Sequence, residues 1–265
     1  MLGKPIGHSL SPVLHRAAYR ALGLSGWTYR AIECDAAGLA ALLAGSGPEV
    51  AGYSCTMPLK RAVLREAVEA SPVATAIGAA NTLLPVPGGW FADNTDWLGV
   101  RDALAAQRVA ATGQIVLLGA GGTAQAALAA LGEAASITAL VREPSRAGPL
   151  IETAERLGRP LRIGRLSEPA SVAEADLVIS TLPAAAADPL AAQGWQRGRA
   201  LLDAVYHPWP TMLAEQAAAS GAQVVSGAAM LLFQAARQVE LMTGRAAPVE
   251  AMRAALLAAV PGCGA

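Results

Sequence analysis

Lysine and asparagine are nearly missing from this chain of 265 residues: each occurs only twice, as Lys4 and Lys60 and as Asn81 and Asn94. Arginine carries the rest of the basic charge, and 20 basic residues stand against 20 acidic ones for no net charge. That balance excludes the basic footprint of a nucleic-acid or anionic-membrane surface. Cysteine is also scarce. Cys34, Cys55 and Cys263 form no CxxC and no even framework, which excludes a disulfide scaffold and fits reduced thiols in a cytoplasm. The histidines are His8, His15 and His207, none in a metal-ligand pair, so no protein-held metal is expected. No uninterrupted apolar run reaches the ~18 residues of a membrane-spanning helix. The opening MLGKPIGHSLSP has neither the basic region nor the apolar stretch of a signal peptide. Only 15% of residues are charged while 54% are apolar, which excludes a disordered chain.

Alanine is what abounds, at 62 residues. Short Val/Ile/Leu runs alternate with Ala/Leu segments at helical spacing. Trp27–Cys34 and Val50–Cys55 read as strands, and Ala36–Ala44 as a helix. A further helix begins at Pro58, where a missing N–H costs nothing. Asn81–Val86 and Trp90–Ala92 flank Pro87-Gly88-Gly89, which predicts a hairpin. Asp96–Ala106 reads as a helix with an acidic start. From Gln114 onward QIVLL, SITALV, DLVIS and ALLDAV are fully apolar short strands between helical stretches. Such strands belong in a parallel sheet covered on both faces. Ala228–Thr243 and Val249–Val260 read as closing helices. The expected fold is therefore α/β with two domains. Residues 1–101 join 227–265 in an α/β domain completed by C-terminal helices. Residues 102–226 form a Rossmann-like, doubly wound dinucleotide-binding domain.

Gly119-Ala120-Gly121-Gly122-Thr123-Ala124 matches G-x-G-x-x-A between a predicted strand and a predicted helix. Gly119 permits the tight turn, Gly121 lets backbone approach a pyrophosphate, and Ala124 lets the helix pack closely on the sheet. The pyrophosphate would sit on the helix amino terminus. The end of the next strand commonly selects the cofactor, and here it reads Val141-Arg142-Glu143-Pro144-Ser145-Arg146. Arg142 and Arg146 could clamp a 2′-phosphate, with Ser145 donating to it. Glu143 points the other way, toward an unphosphorylated ribose, so NADP is favoured and NAD stays open. In the plainer reading these are solvated loop residues.

Four polar clusters lie in the first hundred residues: His8–Pro12, Ser54–Lys60, Ala80–Thr82 and Asp93–Asp96. Ser9 and Ser11 offer hydroxyls that could hold a carboxylate or polyol. Lys60 beside Asp96 would make an acid–base pair in which the carboxylate orients an ammonium that protonates a carbonyl oxygen as hydride arrives. Each cluster also has a bland reading: Ser11 or Asp96 as a helix cap, Lys60 as a surface residue.

HSLSP, TMPLK, GAANTL and DNTDWLG, in that order ahead of GAGGTA, resemble the shikimate dehydrogenase family over nearly the whole chain. The resemblance implies a cytoplasmic, NADP-dependent, two-domain oxidoreductase that reduces 3-dehydroshikimate to shikimate in aromatic amino acid (chorismate) biosynthesis. It implies that Ser9 and Ser11 bind the substrate carboxylate, that Thr56 and Asn81 contact the substrate, and that Lys60 and Asp96 are the catalytic pair. Tyr206 and Gln234 would reach the substrate from later in the chain, and Gly227 and Met230 would pass the nicotinamide. Gly119, Gly121, Gly122, Thr123, Ala124, Arg142, Ser145 and Arg146 would hold the rest of the cofactor.

Three departures stand out. Ser54 replaces an Asn common in the family, so one substrate contact is shorter or bridged by water. Glu143 replaces the usual Thr or Ser. The chain starts close to GKPIGHS, so the first strand is short or the true start lies upstream. The rival readings are a quinate/shikimate dehydrogenase using NAD and a non-catalytic dinucleotide-binding regulator. The Ala-rich neutral surface fits a monomer or a homodimer.

Overall fold

The computed structural model describes residues 1–132, 135–192 and 194–264. The chain divides into two compact units: Met1–Asp96 with Leu232–Ala259, and Trp97–Leu231 with the residues from Val260 on. These boundaries lie at Asp96 and Leu232 rather than at Arg101 and Gly227, and the segment after Ala259 goes with the second unit. Ser226 helps hold that segment, its hydroxyl donating to Gly264 O at 3.1 Å.

The first unit opens with β1 (Leu2–Gly3), α1 (Ser11–Ala21), β2 (Ile32–Glu33), α2 (Leu39–Ala44) and β3 (Tyr53–Ser54). It continues through α3 (Lys60–Glu66), β4 (Glu69–Ala70), α4 (Pro72–Ile77), β5 (Thr82–Val86) and β6 (Gly89–Asp93). β1 pairs with β2 in parallel, and a single parallel bridge joins Leu2 to Cys55. The other strands form a sheet in the order β3-β5-β6-β4. The expected hairpin is β5–β6, with Val86 opposite Gly89. α1 buries Ser11, Leu14, His15 and Ala18, a stripe at helical spacing.

Two expected strands are shorter than the sequence pattern suggested. Trp27–Cys34 yields only β2, because the Arg16 guanidinium takes the Tyr29 carbonyl at 2.9 and 3.2 Å in place of a ladder partner. Val50–Cys55 shrinks to β3. The helical run after Pro58 starts at Lys60 and stops at Glu66. Beyond it Val68 N–H binds Trp90 O and Ser71 N–H binds Ala92 O, both at 2.9 Å. Sheet pairing with β6 thus overrides local helix propensity.

The second unit begins at Trp97, inside α5 (Asp96–Ala106), which is followed by β7 (Gly113–Leu118), α6 (Gly122–Ala130), β8 (Ala135–Val141), α7 (Gly148–Arg156) and β9 (Leu161–Arg165). Then come β10 (Leu177–Ser180), β11 (Ala200–Asp203), α8 (Met212–Ala219) and β12 (Gln223–Ser226). The sheet order is β12-β11-β10-β7-β8-β9 and every pairing is parallel. This is the doubly wound order in which the chain reverses between β7 and β10, and ligands bind beyond the carboxyl ends at that reversal. Ile115–Leu118 and the whole of β10 and β11 are buried, as strands covered on both faces must be. Each such Leu or Ile contributes about 1.5–3 kcal/mol by burial. α9 (Gly227–Thr243) and α10 (Val249–Ala259) close the chain, and α10 packs on α1. Among the described residues no helix is long and apolar enough to cross a membrane.

Candidate active site

In the first unit the polar clusters meet at the ends of short elements. Lys60 is the first residue of α3, and its carbonyl accepts from Ala80 N–H at 2.7 Å. Asp96 lies three residues past the end of β6 and opens α5. Lys60 Nζ donates to Asp96 Oδ2 at 2.5 Å, with the two side chains 22% and 8% exposed. An ammonium this sheltered is fixed in direction yet still reaches solvent on one side. The Asn94 carboxamide sets the turn before Asp96: its Oδ1 accepts from Asp96 N–H at 3.0 Å and its Nδ2 donates to Ala79 O at 2.8 Å.

Asn81 joins this pair from the other side. Its Nδ2 donates its two hydrogens to Asp96 Oδ1 at 2.8 Å and Thr95 Oγ1 at 3.0 Å, and Gln234 Oε1 stands 3.4 Å from the same nitrogen. Its Oδ1 accepts from Thr82 Oγ1 and from Thr95 N–H, each at 2.8 Å. Lys60, Asp96, Asn81 and Gln234 are therefore one contiguous group, although the sequence scatters them from α3 to α9. Ser9 and Ser11 are joined to each other, with Ser11 N–H donating to Ser9 Oγ at 3.2 Å. Thr56 is pinned by its backbone, its N–H donating to Leu2 O at 2.9 Å and its carbonyl accepting from Leu59 N–H at 2.8 Å. Lys4 lies one residue beyond β1, not within it, and pairs with Asp35 at the surface.

Behind this group lies a buried layer that the motifs did not announce. Gln238 is 1% exposed, and it reaches Ser54, His15, Thr82 and the Asn81 backbone. The available signal was its place one helical turn after Gln234, on the same face of α9. The Ser54 hydroxyl, 4% exposed, accepts from Tyr29 OH at 2.7 Å and donates to Gln238 Oε1 at 2.9 Å. Its proton is thus spent inside the protein. The rings of His15 and Tyr29 stack with centroids 4.1 Å apart. Burial pushes the His15 imidazole down to about 3 and raises the Tyr29 phenol.

His15 therefore stays neutral in the folded chain while the unfolded chain protonates it near 6.5. The unfolded state binds the extra proton, so stability falls as pH drops below the unfolded value and toward the folded one. Between pH 7 and pH 5 this one group should cost about 2 kcal/mol. Denaturant unfolding at both pH values checks it: a His15→Gln variant should lose most of that pH dependence, and an unchanged dependence would refute the assignment.

In the second unit Gly119, the residue after β7, has φ +105°, and a Cβ there would lie 2.7 Å from Thr181 Oγ1. Only glycine turns this corner without strain. α6 starts at Gly122 with Gly121 as its cap residue and no side-chain capping bond. A Cβ on Gly121 would meet nothing within 4 Å. The backbone at the start of α6 is therefore open on the Gly121 side, where a helix amino terminus favours an anion. Gly122 and Thr123 are half-buried in that turn, and Ala124 is fully buried against the sheet. Past β8, Arg142 and Arg146 are exposed, and among the described residues neither guanidinium has an ion-pair partner. Ser145 Oγ donates to Glu143 Oε1 at 3.2 Å, which draws the carboxylate into its own loop. These residues fit a phosphorylated dinucleotide.

Tyr206 follows β11 on a loop closed by Asp203, which accepts from Thr211 Oγ1 at 2.7 Å and from Val205 N–H at 3.2 Å. Burial raises both the Asp203 carboxyl and the Tyr206 phenol. Tyr206 is half-buried, and among the described residues its hydroxyl makes no hydrogen bond. Gly227 and Met230 stand in the first turn of α9. Met230 is 8% exposed, and a Cβ on Gly227 would lie 2.1 Å from Ala204 O.

Comparison with known proteins places this geometry in context. Residues 1–83 match the family model described as the shikimate dehydrogenase substrate binding domain, and residues 227–257 match the shikimate 5'-dehydrogenase C-terminal domain. The chain is 39% identical to the shikimate dehydrogenase (NADP(+)) of Halobacterium salinarum over 97% of both chains. The crystal structure of Mycobacterium tuberculosis shikimate dehydrogenase is 48% identical, with TM-score 0.88 and 97% of each chain covered. The Thermus thermophilus enzyme, solved in complex with NADP(H) and shikimate, is 35% identical with TM-score 0.85 and the same coverage. Likeness of this extent, over both units and in motif order, makes the chain a member of the shikimate dehydrogenase family.

Proposed function

We infer that this chain catalyses the reversible NADP-dependent reduction of 3-dehydroshikimate to shikimate, a step of aromatic amino acid biosynthesis. The observation that carries the reading is the Lys60–Asp96–Asn81 group: an oriented ammonium, a carboxylate that holds it, and a carboxamide that holds the carboxylate. Lys60 Nζ gives its proton to the ring carbonyl oxygen, and in the reverse direction takes the hydroxyl proton back. Asp96 keeps that nitrogen in one place, so that little orientational freedom is lost in reaching the transition state. Asn81, Thr56 and Gln234 present polar atoms to the substrate's hydroxyls, and the Ser9 and Ser11 hydroxyls take its carboxylate. Tyr206 brings a hydroxyl left unspent by the fold. NADP, when bound, supplies the hydride. The Gly119–Ala124 turn would hold its pyrophosphate, Arg142 and Arg146 its 2′-phosphate, and Gly227 and Met230 would border its nicotinamide.

Glu143 is the one observation that favours NAD, and a quinate-oxidising relative remains the alternative substrate reading. Initial rates of shikimate and quinate oxidation with each cofactor separate them. Shikimate with NADP should exceed every other pair at least about tenfold in kcat/KM. Comparable rates with NAD would move the reading to the quinate/shikimate class, and no shikimate-dependent NADPH formation would end it. Arg142→Ala should raise the NADP KM about tenfold or more through loss of a charge-assisted bond, while leaving any NAD rate unchanged.

A further inference from the structure

The amide of Gln238 has a forced orientation. Asn81 O can only accept, and it lies 3.1 Å from Gln238 Nε2, which also reaches Thr82 Oγ1 at 3.0 Å. The nitrogen must therefore face β5, and Oε1 must face Ser54 at 2.9 Å and His15 Nε2 at 3.3 Å. A carbonyl oxygen cannot donate, so both of those groups donate to it. His15 then carries its proton on Nε2, and its Nδ1 is left buried without a partner.

One run of donors through this layer points the same way, with His15 joining it at Gln238 Oε1 as a side branch. Tyr29 donates to Ser54, Ser54 to Gln238, Gln238 to Thr82, Thr82 to Asn81 Oδ1, and Asn81 Nδ2 to Asp96. The series ends on the carboxylate that receives Lys60. Bonds aligned head to tail polarise one another and resist rotation of any one member. Asn81 is the link that matters for chemistry, because its side chain carries Asp96 and its backbone carbonyl, already taking Cys55 N–H at 2.7 Å, accepts a second bond from Gln238 Nε2 at 3.1 Å. We propose that Gln238 is a positioning residue of the reaction: by fixing Thr82 and both ends of Asn81 it sets the angle at which Asp96 presents Lys60 to the substrate. Gln238 itself touches neither substrate nor cofactor. The inference rests on the shikimate dehydrogenase reading above.

The test compares wild type, Gln238→Met, Asn81→Ala and the double variant in shikimate oxidation with NADP. Methionine keeps the length and volume but neither donates nor accepts at those points. Gln238→Met should lower kcat and raise the shikimate KM, together about tenfold in kcat/KM, with the NADP KM unchanged. A merely structural role would reduce the amount of active enzyme and leave both KM values alone. Added to Asn81→Ala, Gln238→Met should cost less than about twofold more, because it acts through that residue. Wild-type kinetics for Gln238→Met, a loss of kcat that vanishes when rates are counted per folded molecule, or a full multiplicative loss in the double variant would overturn the proposal. If Gln238→Met does not fold, Ser54→Ala must show the same pattern at about two- to threefold, and its absence is equally decisive. Should wild type fail to oxidise shikimate, the functional reading falls by itself. The arrangement is then read from the His15 ring nitrogens by NMR: a proton on Nε2 supports it, and one on Nδ1 overturns it.

Discussion

Lys60→Ala is expected to lower kcat by roughly 10²–10⁴-fold with little change in shikimate KM. That is about 3–5 kcal/mol of transition-state stabilisation. The size follows from the geometry. The ammonium is partly sheltered, 2.5 Å from one oxygen of a carboxylate whose other oxygen is held by Asn81. Without Lys60, developing charge on the substrate oxygen would meet no positioned acid, and water would have to supply the proton. The substrate's hydroxyls and carboxylate keep their other contacts, so binding is largely spared. Lys60→Arg is the sharper variant. Arginine preserves the positive charge but scarcely gives up a proton at any working pH, and its planar fork does not reproduce a single short contact to Asp96 Oδ2. Turnover within tenfold of wild type in Lys60→Arg would remove Lys60 from the proton-donor role. The fold should survive both changes, because Asp96 keeps its bonds from Asn81 and from its own N–H through Asn94.

Gly227→Ala should show the largest loss of stability among glycine substitutions in the second unit. The added Cβ would lie 2.1 Å from Ala204 O, 2.4 Å from Ala204 C and 2.9 Å from Val205 O. These are backbone atoms at the end of β11, whose Asp203 is paired with Ser226 of β12, so neither side can yield cheaply. Overpacking against a fixed sheet costs about 3 kcal/mol, which lowers the melting temperature by roughly 6–12 °C in a chain of this size. Gly121→Ala is the natural comparison. Its Cβ has open space and its φ of −78° suits alanine. Stability should stay within about 0.5 kcal/mol of wild type, while the NADP KM rises because the methyl occupies the path of the pyrophosphate. Calorimetry with cofactor titration separates the two. A stable Gly227→Ala would show that the backbone there moves freely and that its glycine answers to the cofactor instead.

The two glycines show how far one-dimensional reading goes. G-x-G-x-x-A names Gly119 and Gly121 because the strand, turn and helix are contiguous, and local geometry is written in local sequence. Gly227 draws attention only through family likeness, and the contact that demands it comes from β11. The helix Asp96–Ala106 and the β5–β6 hairpin were legible for the same local reason. The long strand expected over Trp27–Cys34 was not, because Arg16 on α1 takes its carbonyl. The clusters around Ser9, Thr56, Lys60, Asn81 and Asp96 were visible as motifs. The buried layer of Tyr29, Ser54, His15 and Gln238 was not, since each is an ordinary residue until its partner, up to 223 positions away, is known.

By itself the sequence determined the α/β class, the doubly wound second unit, the dinucleotide turn and the residue types available for acid–base chemistry. Those depend on periodicity and on short contiguous patterns. Only the tertiary structure decided which of them touch: that Asn81 bridges Asp96 and Gln234, that the Ser54 hydroxyl is spent on Gln238, and that Glu143 is drawn into its own loop by Ser145. The physical reason is that a hydrogen bond has a reach of about 3 Å and a direction. Whether two groups satisfy both is settled by how distant elements pack, which no local pattern encodes.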